Sequence, residues 1–284
     1  PMTATNQALI AHGYPVKPTS VAAQAAWKQA VERIKKVMKV PAVKTTGQYI
    51  TLPWVGNQST TASSSGEIGV QSSSNWSGYE DVDSDRYHLV TAKWVVPNVT
   101  GPVNSETSTW IGLGGDPHYG WDWTLFQDGL GQFVTDSGVK NDLWYEYVSR
   151  YQGSIYAQTL TTDVSPGQTI YAQVQYYGDG KYYWFIEDEA TGQAFHKMTQ
   201  PGWIFNTNTS ADFIEENPNS AGQPLANFNS VTFTDCYANQ DNQRASGGSW
   251  PFIKDEMSSN TGSAIPQNWN DNNTSFSIIW SDPT

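Results

Sequence analysis

Short runs of aromatic and β-branched residues, separated by glycine, recur through most of this chain and restrict the folds open to it. They are densest between residues 108 and 148, where the runs STWIGLGG, LFQDG and DLWYEYV follow one another. Such residues favour the pleated, half-buried surface of a strand, and glycine marks the bends between strands. This stretch therefore predicts three consecutive strands.

The same pattern continues on both sides of this stretch. It predicts further strands at 90–96, 168–177, 181–188, 212–216, 229–236 and 275–280, with the turn GDG at 178–180 joining two of them in a hairpin. No alternation of strands with amphipathic helices appears after Trp76. Short, evenly spaced strands with turn signals are typical of a sandwich or barrel. We therefore predict an all-β fold, an antiparallel two-sheet β-sandwich of the jelly-roll or concanavalin-like type.

The N-terminal segment differs from the rest and predicts a helix. Ser20 can cap a helix over residues 21–40, and Pro41 would end it. An apolar stripe at helical spacing supports this prediction; its members are Trp27, Val31, Ile34 and Met38. Residues 48–55 form a short extended run that would suit an edge strand or a peptide lying in a groove.

Charge is distributed unevenly between the N-terminal segment and the rest of the chain. The first 45 residues hold seven basic residues and one acidic residue, a net charge of +6, and the remainder holds eight basic and 26 acidic residues, a net charge of −18. Such asymmetry suggests that the parts attract each other or serve different partners. The N-terminal segment is then either a basic helix resting on an acidic domain or a removable inhibitory prosegment.

Composition sets the domain boundaries and excludes several classes of protein. Residues 57–74 are rich in Ser, Thr and Gly and predict a linker, so we divide the chain into a segment 1–56, a linker 57–74 and a β domain 75–284. The net charge of −12 argues against nucleic-acid binding. No apolar run approaches the roughly 18 residues of a membrane span. Cys236 stands alone, so no intrachain disulfide can form.

Gln127 is the polar residue that stands out in the densest strand region, because Leu125 and Phe126 precede it. A buried amide without hydrogen bonds costs about 1–3 kcal/mol. Gln127 is therefore either a glutamine satisfied inside the sheet or an amide held ready to donate to a reacting carbonyl oxygen. Position alone favours the first interpretation.

Two strands would each present acidic residues on one face, since residues two apart in a strand share a face. One set is Asp142, Trp144 and Glu146, and the other is Asp212, Ile214 and Glu216. If both faces line one cleft, several carboxyls meet beside Gln127 and raise each other's pKa. The alternative is a solvated acidic face without catalytic function.

Other catalytic chemistries fit the sequence less well. The four His residues are scattered and have no metal-ligand spacing, so we predict neither metal nor cofactor. The Gly-x-Ser-x-Gly motif of serine hydrolases and the Asp-Thr-Gly motif of aspartic peptidases are both absent from the sequence.

Six short motifs in a fixed order resemble the glutamic peptidase (eqolisin) family of acid endopeptidases. They are NWSGY at 75–79, TWIG at 109–112, FQDG at 126–129, WYE at 144–146, ADFIEE at 211–216 and FTDC at 233–236. Each motif is weak alone, and their order and spacing together are fairly specific. The sequence departs from fungal relatives at Gly114, where an acidic residue is common, and in lacking their disulfides.

The resemblance implies a catalytic dyad of Gln127 and Glu216, with Glu215 pointing to the opposite face of its strand. It also implies that Trp110, Asp142 and Glu146 line the cleft, and we place Trp144 there with them. An ionised Glu216 would take a proton from an attacking water and return it to the leaving amine. Gln127 would orient the water and stabilise the oxyanion, and Glu146 and Asp142 would orient Gln127.

The family likeness further implies a secreted, extracellular and monomeric enzyme that acts on protein or peptide substrates. Its basic N-terminal prosegment would act as an intramolecular inhibitor, covering the cleft until cleavage in the linker at low pH. Two alternatives remain open from the residues themselves. Glu146 and Glu216 in a cleft lined by aromatic rings would also suit a retaining glycosidase if about 5 Å apart, and the same cleft would suit a lectin-like module without catalysis.

Overall fold

The fold follows from a computed structural model of the 284-residue chain. It describes residues 1–17, 21–34, 36–39, 67–83, 86–115, 124–149, 153–160, 164–200, 208–218, 223–240, 243–260 and 262–282. The predicted extended run at 48–55 and the first part of the predicted linker lie outside these residues.

Two helices precede a large set of strands. The helices are α1 (Asn6–Ala11) and α2 (Val21–Arg33). The strands are β1 (Lys36–Lys39), β2 (Glu67–Ser73), β3 (Trp76–Val82), β4 (Tyr87–Val95), β5 (Glu106–Gly114), β6 (Thr124–Thr135), β7 (Gly138–Ser149), β8 (Gly153–Leu160), β9 (Thr169–Tyr176), β10 (Tyr182–Asp188), β11 (Gln193–Thr199), β12 (Ser210–Glu216), β13 (Ser230–Gln240), β14 (Gln243–Ser246), β15 (Phe252–Ser259), β16 (Gly262–Pro266) and β17 (Phe276–Ser281). The prediction of a mostly β protein is confirmed, as are the three strands of the 108–148 region.

The described strands pair into one continuous hydrogen-bonded sheet of 17 strands. Neighbours along it run β8-β7-β6-β5-β12-β3-β15-β16-β17-β13-β4-β9-β10-β11-β1, with β14 paired to β13 and β2 paired to β15. All these pairs are antiparallel except β1 with β11 and β2 with β15. The hairpin predicted around the GDG turn is β9 with β10.

Aromatic rings from strands that are not hydrogen-bonded neighbours meet in the main core. Phe126 on β6 stacks on Tyr182 on β10, with ring centroids 3.2 Å apart and planes 8° apart. Tyr145 on β7 contacts Trp184 on β10 at 5.2 Å between centroids. Strands β6 and β7 therefore face β10 across an apolar interior. Cys236 is buried in this core and free, as its β setting predicts.

Strand β10 has a second apolar face, and the N-terminal segment packs there. Tyr182 and Trp184 belong to the main core, whereas Tyr183 and Phe185 cluster with Val16 and other N-terminal apolar groups. Hydrogen bonds join the two parts, from Tyr183 OH to the Tyr14 carbonyl at 3.0 Å and from the Val16 N–H to Gln173 Oε1 at 3.0 Å. The described part of the segment thus covers the outer face of β9–β11.

The predicted helix over residues 21–40 is too long. Helix α2 ends at Arg33, and Lys36–Lys39 form β1, which pairs in parallel with β11. The open edge of β11 offers unpaired N–H and C=O groups, and pairing with them outweighs the helical preference of this short segment.

The predicted linker over residues 57–74 is also partly wrong. Residues Glu67–Ser73 form strand β2, which runs parallel to β15. Ser-rich composition predicts a flexible segment, but pairing with a strand far away in the chain satisfies its backbone groups.

Candidate functional site

Strands β12, β5, β6 and β7 lie side by side and place the predicted site residues on one face. In register, Trp110 on β5 lies opposite Gly129 on β6, and Gln127 on β6 lies opposite Glu146 on β7. A Cβ atom at position 129 would lie 2.5 Å from the Cβ of Trp110. Glycine at that position therefore lets the Trp110 side chain pass over β6.

Glu216 ends strand β12, and two donors hold its carboxyl group. The indole N–H of Trp110 donates to Oε2 at 2.8 Å, and Nδ2 of Asn75 donates to Oε1 at 3.0 Å. Only 2% of Glu216 is exposed. Burial raises its pKa to about 8, the nearby charge of Glu146 adds to the rise, and the hydrogen bonds from Trp110 and Asn75 offset it only in part.

This environment favours a neutral Glu216, whereas the mechanism predicted from the sequence starts from an ionised one. A carboxyl group removed from water favours its neutral form, and here desolvation outweighs the hydrogen bonds that would favour the charge. Glu216 therefore carries a proton in the free protein at acid pH.

Gln127 is buried on the same face, and only one of the two polar atoms of its amide has a hydrogen-bond partner among the described groups. Its Nε2 donates to Oε2 of Glu146 at 2.8 Å. Its Oε1 is buried and has no hydrogen-bond partner among the described protein groups. The amide therefore presents a free acceptor oxygen and, because an NH₂ group has two hydrogens, a second donor.

Glu146 connects the two predicted catalytic residues. It accepts the hydrogen bond from Gln127, and its charge raises the pKa of Glu216. The structure thus brings Gln127, Glu146 and Glu216 into one electrostatic neighbourhood.

Aromatic rings wall this site. The rings of Trp110 and Trp76 meet edge to face with centroids 5.1 Å apart, and both belong to an apolar cluster with Leu125 and Ile214. Trp144 packs against the same cluster and donates from Nε1 to the Ser108 hydroxyl at 3.0 Å. These rings restrict water around Glu216.

Asp142 shares the strand face of Glu146 on β7, as the two-residue period predicts, but its ion-pair partner is a lysine. It is opposite Gly131, four residues from Glu146, and its carboxylate pairs with Lys140. The lysine neutralises Asp142, so its partner in the structure is this cation and not Gln127.

Sequence reasoning did not single out Asn75 or Ser108. Asn75 precedes β3 and binds the Glu216 carboxyl, while Ser108 holds the Trp144 indole. The signal for Asn75 was present, since it opens the first of the six ordered motifs. Ser108 lies outside those motifs, and the sequence gives no signal for it.

Glu215 points to the opposite face of β12, as the two-residue period of a strand predicts. It is fully buried, and its carboxyl oxygens are hydrogen-bonded to the hydroxyls of Thr107 and Thr109, the latter at 2.6 Å. Burial raises the pKa of Glu215 to about 7, and the two hydroxyls oppose the rise.

The mostly β fold and the six ordered motifs agree with the class of glutamic peptidases that the sequence resembles. The chain belongs to the Peptidase A4 family, whose family model matches residues 74–277.

Individual relatives agree with this assignment. Scytalidopepsin B from Scytalidium lignicola is 28% identical over 189 residues, which cover 61% of this chain and 66% of the relative. The match thus spans just under two thirds of that protein's length.

Solved structures show the same fold. The crystal structure of scytalido-glutamic peptidase with a transition state analog inhibitor matches with a TM-score of 0.60 at 23% identity, over 73% of this chain and 98% of that chain. Aspergilloglutamic peptidase from Aspergillus niger matches with a TM-score of 0.51 at 21% identity, over 62% of this chain and 99% of that chain. Within the described residues, neither helix has the length and apolar character to cross a membrane.

Proposed function

We propose that this protein is a secreted acid endopeptidase that hydrolyses peptide bonds by water attack, using Gln127 and Glu216. Membership of the Peptidase A4 family supports the reaction class. The observation that carries the residue assignment is that Glu146 accepts a hydrogen bond from Gln127 and also raises the pKa of Glu216, whose carboxyl is bound by Trp110.

Glu216 begins the reaction as an acid. It donates its proton to the carbonyl oxygen of the scissile bond while a water attacks the carbonyl carbon. The carboxylate so formed removes a proton from the attacking water, which leaves a neutral tetrahedral intermediate. Glu216 then protonates the amide nitrogen, the C–N bond breaks with its electron pair on nitrogen, and the carboxylate recovers a proton from the new carboxyl group.

Gln127 positions the water and stabilises the developing charge. Its unpartnered Oε1 accepts a hydrogen bond from the attacking water. One hydrogen of Nε2 goes to Glu146, which leaves the other to donate to the substrate carbonyl oxygen. An amide suits this role in acid because it does not titrate, and one such donor is worth about 3–4 kcal/mol in known enzymes.

The requirement for a protonated Glu216 accounts for activity in acid. Activity is present below the pKa of Glu216, about 8, and is lost as the pH rises through it. An ionised Glu216 as the starting state would give the opposite dependence.

We further propose that residues 1–56 form a prosegment that inhibits the enzyme until the linker is cut in acid. Its net positive charge supports attraction to the acidic β domain, as does the ion pair from Arg33 to Glu189 at 2.8 Å. Glu189 also pairs with Lys93 at 3.2 Å. The described part of the segment packs on β9–β11, so its role in this proposal is that of an anchor.

The proposal includes the layered architecture, in which two halves of the long sheet form an antiparallel sandwich with the helical segment outside. The ring contacts between β6, β7 and β10 support two layers. A monomer that acts on protein or peptide substrates completes this assignment. Family membership favours it over a retaining glycosidase or a lectin-like module.

The test is turnover of a quenched peptide in acid by variants that keep side-chain size. Glu216→Gln removes the transferable proton and is expected to lower kcat by roughly 10²–10⁴-fold. Gln127→Glu replaces the amide by a carboxyl and is expected to lower kcat by a similar factor. The two losses should not add, because both residues act on one transition state.

Asp142→Asn is the matched control, because Asp142 shares the strand face of Glu146 but pairs with Lys140. Its kcat should stay near that of the wild type, and circular dichroism confirms folding of each variant. A folded Glu216→Gln variant with wild-type turnover would refute the assignment of Glu216.

A further inference from the structure

Strand β12 carries two adjacent buried carboxyls, and the proposed reaction uses only one of them. Glu216 faces the site, while Glu215 faces the main-core side of the sheet, where it meets Thr107 and Thr109. Thr107, Thr109 and Trp110 all lie on β5. Glu215 therefore links β12 to the strand that carries Trp110, and the proposed reaction does not explain this link.

The cluster sits where β12 ends. The last register pair between β12 and β5 is Glu216 opposite Ser108, and Thr107 lies one residue beyond it. Glu215 thus contacts its register partner Thr109 and also Thr107, which lies beyond the paired residues of β12 and β5. On the other face, the Trp110 indole binds Glu216. Side chains of β5 therefore form hydrogen bonds with the end of β12 on both faces of the sheet.

We propose that Glu215 is a positioning residue: as a neutral acid hydrogen-bonded to Thr107 and Thr109, it holds the end of β12 against β5 and keeps Glu216 aligned with Trp110. This inference rests on the proposed peptidase function, because its effect is on the alignment of Glu216.

The protonation state of Glu215 decides how Thr107 uses its single proton. The Thr107 hydroxyl lies within hydrogen-bond reach of the Glu215 carboxyl and 3.4 Å from the Glu216 carbonyl oxygen. One hydroxyl proton cannot serve both acceptors. A neutral Glu215 donates its own proton to Thr107, and Thr107 then donates to the Glu216 carbonyl. An ionised Glu215 takes the Thr107 proton and leaves that carbonyl without it.

Among the described residues, the hydroxyls of Thr107 and Thr109 offset a negative charge on Glu215 only in part. The groups that face it are the hydroxyls of Thr107 and Thr109 on β5 and Ser77, its register partner on β3, which donates to the Ala264 carbonyl at 2.9 Å. No ion pair involves Glu215 among the described residues. Its titratable neighbour is Glu216 itself, and ionisation of Glu215 would place a charge beside it.

The expected consequence is that ionisation of Glu215, as well as that of Glu216, limits activity at high pH. Burial raises the pKa of Glu215 to about 7 and that of Glu216 to about 8. When Glu215 loses its proton at rising pH, the Glu216 carbonyl loses the hydrogen bond from Thr107, and kcat falls.

The principal test is the pH profile of kcat in Glu215→Gln, measured on the full chain after incubation in acid. Glutamine donates permanently to Thr107 and cannot ionise, so it imitates the neutral acid. We expect kcat in acid within about twofold of wild type. We also expect the high-pH limb of kcat to move to higher pH, because of these two carboxyls only Glu216 then titrates.

The matched control is Glu187→Gln. Glu187 is a buried carboxyl on β10 whose pKa burial raises to about 8, but it lies in the outer face of β9–β11. Its substitution should leave the high-pH limb of kcat unchanged. An unmoved limb in Glu215→Gln, or an equal movement in Glu187→Gln, would overturn the proposal.

Thr107 provides an independent test should Glu215→Gln fail to fold. Thr107→Val removes the hydroxyl and is expected to lower kcat in acid about tenfold with little change in KM, whereas Thr107→Ser restores it. Wild-type kcat in Thr107→Val would contradict the proposal. Failure of the function itself is distinguishable, because then the wild type would not cleave peptide or Glu216→Gln would remain active.

Discussion

The buried carboxyls predict a fold that is more stable in acid than at neutral pH, and Glu215 gives the size of the effect. Its pKa rises from 4.5 to about 7 on folding. Each unit of pKa difference corresponds to about 1.36 kcal/mol, so a shift of about 2.5 units corresponds to about 3 kcal/mol. This is a large part of the 5–15 kcal/mol typical of a folded domain.

The direction follows from proton binding. Below pH 4.5 both the folded and the unfolded chain hold the Glu215 proton, and the full stability is present. Between 4.5 and about 7 only the folded state holds it, so the free energy of unfolding falls as the pH rises through this window. Burial shifts the pKa of Asp128 and Glu187 in the same direction, which extends the decline.

Urea unfolding followed by tryptophan fluorescence measures this dependence. Wild type and Glu215→Gln are compared at one pH below 4.5 and one above 7. The variant should lose about 3 kcal/mol less between the two conditions, because glutamine does not titrate. An identical pH dependence in both proteins would show that Glu215 is not the buried neutral acid inferred here. Glu187→Gln should also reduce the dependence while leaving the activity limb in place, which separates global stability from alignment of the site.

Two further predictions concern the groups around Glu216. Trp110→Phe keeps an aromatic ring but removes the donor to Glu216, and because a hydrogen bond between neutral groups is worth about 0.5–1.5 kcal/mol, kcat should fall about two- to tenfold; wild-type kcat would argue against this contact. Glu146→Gln removes a like charge that raises the pKa of Glu216, so the high-pH limb of kcat/KM should move to lower pH, and a movement to higher pH would contradict the assigned electrostatics.

Most of the strand pattern was predictable because it depends on local signals. The hairpin of β9 and β10 needs only two alternating runs and a glycine turn, and these are visible in the sequence. The prediction of strand β12 likewise needed only its apolar and β-branched residues. Such elements form wherever local preference and the final fold agree.

The errors arose where distant pairing decides the local structure. Lys36–Lys39 continue a helical pattern in sequence, yet they pair with β11, more than 150 residues further along the chain. Glu67–Ser73 have the composition of a linker, yet β15 supplies their partners. A single sequence contains no direct signal for such partners, so local propensity gave the wrong structure in both cases.

In the candidate site too, some properties follow from position in the sequence, and others depend on the folded environment. The period of a strand was enough to put Glu215 and Glu216 on opposite faces, and the ordered motifs were enough to select Gln127 and Glu216. The sequence could not show that both carboxyls are withdrawn from water, because this depends on strands that pack from elsewhere in the chain. Burial favours the protonated form of Glu216, and this is the form from which the proposed reaction starts. The adjacent Glu215 is also desolvated but is bound by hydroxyls instead of an indole and an amide, so two neighbouring residues of one type lie in environments of different chemistry.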